Sequence, residues 1–341
     1  MVKTVTICNY KSIREVTLEL GRVNVLIGEN GAGKSNILEA ITLCSAAIAE
    51  KLDNEFLTSR GIRVTNPIFM RSAFEATQTT DPIKMSAHSD KGSFTCSLDN
   101  DNQPYSKWIR SISFRGGVLK IAENFIIYSP ENSALRTFER EGQIQPLGIN
   151  GEGLLKLLWV ISQSKDEEQI KTIKELLRLV GWFDDFEIPF DQLGGESYLR
   201  IKDRFIDSDL TMYTQQSANE GLLFLLFYAA LFVSDDTPKF FAIDNIDASL
   251  NPKLCTRLIK EIVQLAKKYD KQVILTTHNP AVLDGLNLDD DEQRLIVVSR
   301  NKIGHTRVNT LQKPITLEGE EPVKLSEAFL NGLLGGLPKS F

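Results

Sequence analysis

Three groups of residues have the types and spacing that phosphate chemistry requires. The first is Gly28-Glu29-Asn30-Gly31-Ala32-Gly33-Lys34-Ser35, which fits the pattern G-x-x-x-x-G-K-[ST] at every position. Glycines let the backbone bend so that successive N–H groups point inward at phosphate oxygens. Lys34 supplies a cation for β- and γ-phosphates, and the Ser35 hydroxyl is a ligand for Mg²⁺. The second is Phe240-Phe241-Ala242-Ile243-Asp244, an apolar run ending in an acid. A carboxylate at the end of a buried strand can hold Mg²⁺ beside a phosphate loop, usually through water. The third is Thr276-Thr277-His278. A neutral histidine there can hydrogen-bond a γ-phosphate or an attacking water, or simply cap the helix that follows.

These groups need elements to place them. Alternation in 2–9, 16–20 and 23–27 predicts three short strands, and the apolar periodicity of 34–48 predicts a helix. The glycine-rich segment therefore lies between a strand and a helix, whose positive end adds to the phosphate field. Antiparallel strands are expected near 84–87, 93–98 and 109–114, and a buried strand over 125–128. Helices are expected near 153–163 and 167–180, with a hairpin formed by 198–203 and 210–213. The apolar run 222–233 predicts a helix and 240–243 a buried strand. An amphipathic helix over 254–268, a buried strand over 272–277, strands near 294–299 and 306–310, and a short helix near 325–330 complete the pattern. No internal repeat and no sustained heptad appears, so a long coiled-coil arm is not expected.

Composition narrows the class. The chain has 341 residues, a formal net charge of −6 and 25% charged residues. That argues against a protein whose whole surface coats nucleic acid, while leaving room for a local basic groove. Cys8, Cys44, Cys96 and Cys255 have neither metal-ligand spacing nor the density of a disulfide framework, which fits reduced thiols in a cytoplasmic protein. The run Gly221–Val233 is too short to span a bilayer, so any membrane partner would be a separate chain. The basic clusters 171–178 and 267–271 read as solvated helix faces in preference to a DNA track, and Trp182 and Phe183 as core packing in preference to a partner-docking edge.

The order NYKSI, GENGAGKSN, a small polar and glycine motif before an apolar helix, AIDNIDASLNP and ILTTHNPAVLDGL resembles the ABC-type ATPases of the SMC, RecF and OLD-like group. LSEAFLNGLLGGLP is similar to the tail of small bacterial ATPases of this group, often found with nuclease-like partners in phage-defence operons. The resemblance implies an α/β fold, the P-loop ABC-type ATPase head. Such a head has a mixed sheet core, an antiparallel β subdomain and a helical subdomain inserted between its two halves. The implied division is 1–130 with the phosphate loop and β subdomain, 131–215 as the helical or arm insertion, and 216–341 with the signature, the Mg²⁺-site strand and the switch histidine.

The resemblance further implies ATP and Mg²⁺ as cofactors and a head-to-head homodimer. Two ATPs would lie between one protomer's Gly28, Asn30, Gly31, Ala32, Gly33, Lys34, Ser35 and Asn36 and the other's signature. The matching stretch is Gln216-Ser217-Ala218-Asn219-Glu220-Gly221, where an ungapped count puts Asn219 at the family's serine and Ser217 two residues earlier. Either side chain can serve, with Gly221 opening the helix. Ser35 and Asp244 would hold the metal, and Lys34, Asp244, Asn245 and His278 would act on the γ-phosphate.

One departure bears on mechanism. The family usually has glutamate after Asp244 as the base that polarises water, and this chain has Asn245. An amide accepts no proton at neutral pH, so general-base catalysis is lost and slow hydrolysis is expected. Asn245 can still orient water, and Asp247 could substitute only if its loop turned it inward. Asn66 and Gln78 are candidates for the family's coupling glutamine, and Tyr10 and Lys11 for base contacts or, equally, a core tyrosine and a solvated lysine. Ala248–Pro252 matches the dimer-crossing loop. The expected output is control of a separate, nuclease-like effector. The alternatives are DNA repair in the RecF manner with nucleic-acid binding, a nuclease within this chain, and the ATPase of a transporter. The acids Asp289 to Glu292 read as a polar loop and not as a spaced metal-binding pair.

Overall fold

The computed structural model describes all residues except 75–78, 104–105, 118–122, 138–142, 165–166, 190–197, 208–212, 312–323 and 336–341. The centre is a six-stranded sheet built from β3 (Val23–Ile27), β7 (Ile127–Tyr128), β11 (Phe240–Ile243), β12 (Gln272–Thr277), β13 (Gln293–Arg300) and β14 (Thr306–Leu311). Its order is β14-β13-β3-β12-β11-β7, and every pair is parallel except β13 with β14.

Parallel strands are covered on both faces, and their sequences are continuous apolar runs for that reason. VNVLI and FFAI are buried at every position. Alternate residues serve different cores. Val25, Phe241, Leu275 and Val297 face one, and Leu26, Ala242, Ile274 and Ile296 face the other.

The second core is closed by α1 (Lys34–Ile48) and a five-stranded antiparallel sheet of β1 (Val2–Tyr10), β2 (Ile13–Glu19), β4 (Ile83–Ser89), β5 (Gly92–Asp99) and β6 (Ile109–Gly116). Its order is β2-β1-β4-β5-β6. Two short helices, α2 (Asn54–Ser59) and α3 (Pro67–Met70), lie between α1 and β4 in the chain and bury Leu57 and Met70 in the same core.

The first core is filled from helices, namely α4 (Asn132–Leu135), α5 (Leu154–Ser162), α6 (Glu168–Leu177), α7 (Glu220–Val233) and α8 (Pro252–Lys268). From Gly221 to Val233 every residue of α7 is buried. A helix apolar on all sides must lie inside, and each buried Leu or Phe contributes about 2 kcal/mol. β8 (Phe183–Glu187), β9 (Arg200–Asp203) and β10 (Tyr213–Thr214) form a small antiparallel sheet, and α9 (Leu325–Leu330) packs beside the turn 280–285.

Most expected elements fall where periodicity places them. The strand expected over 125–128 pairs only at Ile127 and Tyr128, although Phe125 and Ile126 are also buried. Residues 210–212 of the expected hairpin, and Gln78, lie outside the described residues. The cluster 267–271 requires a correction. Lys267 and Lys268 are exposed ion-pair partners of Asp290 and Glu168, whereas Lys271 is fully buried. Its ammonium donates to Ser234 O, Thr237 O and Thr237 Oγ1 at 2.7, 3.0 and 2.8 Å. It thus closes the carbonyl end of α7. Phe183 lies in the core, with Trp182 packed against it.

Candidate nucleotide site

Register brings the three sequence groups to one edge. Ile27 is level with Thr277, and Ile243 with Leu275. The loop after β3, Asp244 after β11 and His278 after β12 therefore emerge together at the carboxyl ends of parallel strands, the usual place for a ligand in such a sheet.

The loop is shaped by close approach. A Cβ on Gly28 would lie 2.0 Å from Val298 O of the neighbouring strand. Gly33 has φ +111°, and its Cβ would lie 2.2 Å from Thr306 Oγ1. Neither position admits a side chain without displacing backbone or a packed threonine. Lys34 folds back over the loop and donates to Gly28 O at 2.8 Å and Glu29 O at 3.1 Å. Burial pushes its ammonium down to about 8, against the opposing pull of Asp244, Asp247 and Glu29.

Ser35 Oγ donates to Asp244 Oδ2 at 3.2 Å. Thr276 Oγ1 donates to the other oxygen of Asp244 and accepts from Asn245 N at 2.9 Å. Thr276 thus fixes both the carboxylate and the turn that follows, where Asn245 has φ +55°. The hydroxyl and carboxylate pair, beside an open pocket, suits a Mg²⁺ ion that keeps water and phosphate as its other ligands. Among the described residues no cluster of three or more His, Cys, Asp or Glu could hold a metal by itself.

His278 is exposed. Partial burial, followed by the nearby charge of Lys34, holds its imidazole below the usual range, so it is largely neutral at pH 7. The turn after it is capped by Asn279, which accepts from Ala281 N at 3.0 Å. His278 is therefore not spent on capping. Asp247 accepts from Thr277 Oγ1 at 2.6 Å and is not among the pocket residues.

The pocket has a volume of about 290 Å³ and is lined by Asn30, Gly31, Gly33, Lys34, Ser35, Asn36, Asp244, Asn245 and His278, together with Arg63 and Arg300. Sequence reading missed the two arginines, because no motif surrounds either. Arg63 donates to Glu39 Oε1 at 2.5 Å and to Asn36 Oδ1 at 3.3 Å, while Arg300 ends β13 beside the loop. Ala32, within the loop, is buried and does not line the pocket. A second pocket of about 460 Å³ shares Asn36, Arg63 and Arg300 with the first and adds Lys11, Phe69 and Phe74. Of the two readings for Tyr10, base contact or core, the core one holds: it is buried and donates to Glu39 Oε2 at 3.0 Å. Asn66 caps α3 by accepting from Ile68 N at 3.1 Å and does not reach the phosphate pocket.

Ser217, Asn219 and Gly221 are not brought to this pocket within one chain. Ser217 ends a 3-10 turn and is exposed. Asn219 caps α7 by accepting from Leu222 N at 3.4 Å. Gly221 packs on the loop after Asp244, where an added Cβ would lie 3.3 Å from Ser249 O.

Comparison with known proteins agrees with this arrangement. The AAA domain family model matches residues 4–295. Septu protein PtuA of Bacillus mycoides is 25% identical over 93% of this chain and 43% of its own length. The DNA replication and repair protein RecF of Staphylococcus haemolyticus is 44% identical over 55 residues, 16% of this chain and 15% of its own. The chain thus spans less than half the length of these curated relatives. Among solved structures, an SMC head bound to the C-winged helix domain of ScpA superposes with a TM-score of 0.63 at 16% identity, covering 91% of this chain and 98% of that one. The SMC head domain of Thermotoga maritima gives 0.52 at 15% identity, covering 93% and 99%. The chain belongs to the AAA domain family and has the head fold of the SMC-type ATPases.

Proposed function

We propose that this protein is an ATP clamp. It binds Mg-ATP at the loop 28–35, closes with a second copy over the nucleotide, hydrolyses it slowly, and controls a separate nuclease-like effector in antiphage defence. The observation that carries the reading is the meeting of Lys34, Ser35, Asp244, Asn245 and His278 in one pocket while Ser217 and Asn219 stand exposed elsewhere. A γ-phosphate held by the loop would face outward, where a partner's signature turn can complete its shell. The Ser217 hydroxyl has no hydrogen-bond partner among the described residues, whereas the Asn219 amide is engaged with its own helix. That favours Ser217 as the group offered across the interface.

Arg63 and Arg300 extend the phosphate reading toward the second pocket, where the exposed Phe69 and Phe74 offer faces for a base. The defence role rests on the resemblance of the tail and on the likeness to Septu protein PtuA. The RecF segment supports a second reading, repair on DNA.

Sedimentation of the purified chain with and without Mg-ATP tests the clamp. Doubling of mass with ATP, lost in Lys34→Ala, supports it; a monomer under both conditions overturns it. Duplex binding that tightens with ATP and weakens steeply with salt would favour the repair reading.

A further inference from the structure

We infer that Arg136 is a positioning residue for the signature turn, holding residues 215–218 in the shape that presents Ser217 and the start of α7 to a phosphate. The inference rests on the clamp reading above. Its support is independent of the sequence motif.

Arg136 follows α4. Its Nη1 donates to the carbonyl oxygens of Gln215 and Gln216, the latter at 2.7 Å, and its Nη2 donates to Ala218 O at 2.9 Å. One guanidinium thus gathers three carbonyls from four consecutive residues. Its Nε donates to Asn132 Oδ1 at 3.0 Å, one turn earlier on the same helix. The fork is therefore aimed before it meets the turn. Only a planar group with several donors in fixed geometry can do this. Carbonyls drawn to one side leave Ser217 exposed on the turn and Asn219 in place as the cap.

The base on which Arg136 stands is rigid. Leu135 beside it is fully buried in the core that contains α7. Ser129 N and Glu131 N are tied to Ile149 O and Asn150 O at 2.8 and 2.9 Å. This segment directly continues β7, and Asp244 N donates to Tyr128 O at the end of that strand at 2.8 Å. A short covalent and hydrogen-bonded route therefore runs from the metal-site aspartate through β7 and α4 to the signature turn.

Charge points the same way. Among the described residues Arg136 forms no ion pair with a carboxylate, and its guanidinium stands on the turn that leads into α7, whose first turn also holds Glu220, bound by the Ser249 hydroxyl. An anion approaching that end meets the helix dipole and the guanidinium together.

The test separates the role of Arg136 from the clamp reading itself. ATP affinity and ATP-dependent self-association are measured on the full chain for wild type, Arg136→Gln, Arg136→Lys, Asn132→Ala and Ser217→Arg. Arg136→Gln is expected to bind ATP as tightly as wild type but to self-associate about tenfold more weakly or worse. Arg136→Lys, which keeps charge but not the fork, and Asn132→Ala, which leaves the fork unaimed, fall between. A structural role alone would lower thermal stability and ATP affinity together, and that result overturns the inference. So does unchanged self-association in Arg136→Gln. If Arg136→Gln does not fold, Asn132→Ala decides by the same two measurements. Ser217→Arg that still self-associates on ATP would instead defeat the signature reading, whatever Arg136 does.

Discussion

Lys34 is held between opposing forces, and that makes its chemistry measurable. Burial lowers its ammonium to about 8, while Asp244, Asp247 and Glu29 pull the other way. The ammonium is the form that binds phosphate. Affinity is therefore full below pH 8 and falls as pH rises through that value, by about tenfold per unit once the free lysine is mostly neutral. Titration with a fluorescent ATP analogue at pH 7, 8 and 9 reads this directly. Lys34→Ala, weaker throughout by about 100-fold, should give a flat profile, and an equally flat wild-type profile would remove Lys34 from phosphate binding.

Asn245 gives the second prediction at this scale. Its side chain lines the pocket where water would attack, yet it cannot take the proton. Asn245→Glu restores a base and should raise the single-turnover hydrolysis rate by about 10²-fold; an unchanged rate would show that proton transfer does not limit the step. The loop and Asp244 were readable from sequence because their chemistry demands fixed spacing. Arg63 and Arg300 were not, since each arrives by tertiary packing from a stretch with no local pattern.

At the scale of elements, legibility followed periodicity. The run Leu222–Val233 declares a helix buried on all sides, and the paired runs FFAI and QVILTT declare interior parallel strands. What no local pattern fixes is adjacency. β1 pairs with β4 across most of a hundred residues, and hydrophobic alternation says which face is buried but not which strand lies beside it. Nor does composition reveal that one lysine of a basic cluster is interior. Lys271 sits next to the solvated Lys267 and Lys268 in sequence, but it caps α7 from inside. Lys271→Met keeps the volume and removes every donor, leaving the Thr237 carbonyl unpaired and Ser234 O with the Thr237 hydroxyl alone. The expected loss is about 3 kcal/mol in urea unfolding, with α7 and the adjoining signature turn loosened. A change below about 0.5 kcal/mol would mean that water replaces the ammonium.

For the molecule as a whole, the question is where the output lies. A nuclease within this chain would need carboxylates free to gather a metal. Two of the acids near the C-terminal strands are otherwise engaged. Asp290 accepts from Lys267 Nζ at 2.7 Å, and that contact pulls its carboxyl down to about 2. Glu292 accepts from Arg22 Nε at 3.0 Å. With these groups neutralised in pairs, and a net charge of −6 opposing approach to a polyanion, the purified chain should leave supercoiled plasmid intact in Mg²⁺ and in Mn²⁺, with or without ATP. If the proposed effector is a separate nuclease, adding it should produce cleavage that depends on ATP binding and fails with Lys34→Ala. The decisive arm is Asn245→Glu. If the ATP-closed pair is the state that the effector reads, faster hydrolysis shortens that state, and the variant should shift cleavage in the same direction as ATP depletion. Plasmid cleavage by the chain alone, or an effector response indifferent to both substitutions, would place the output outside the clamp cycle.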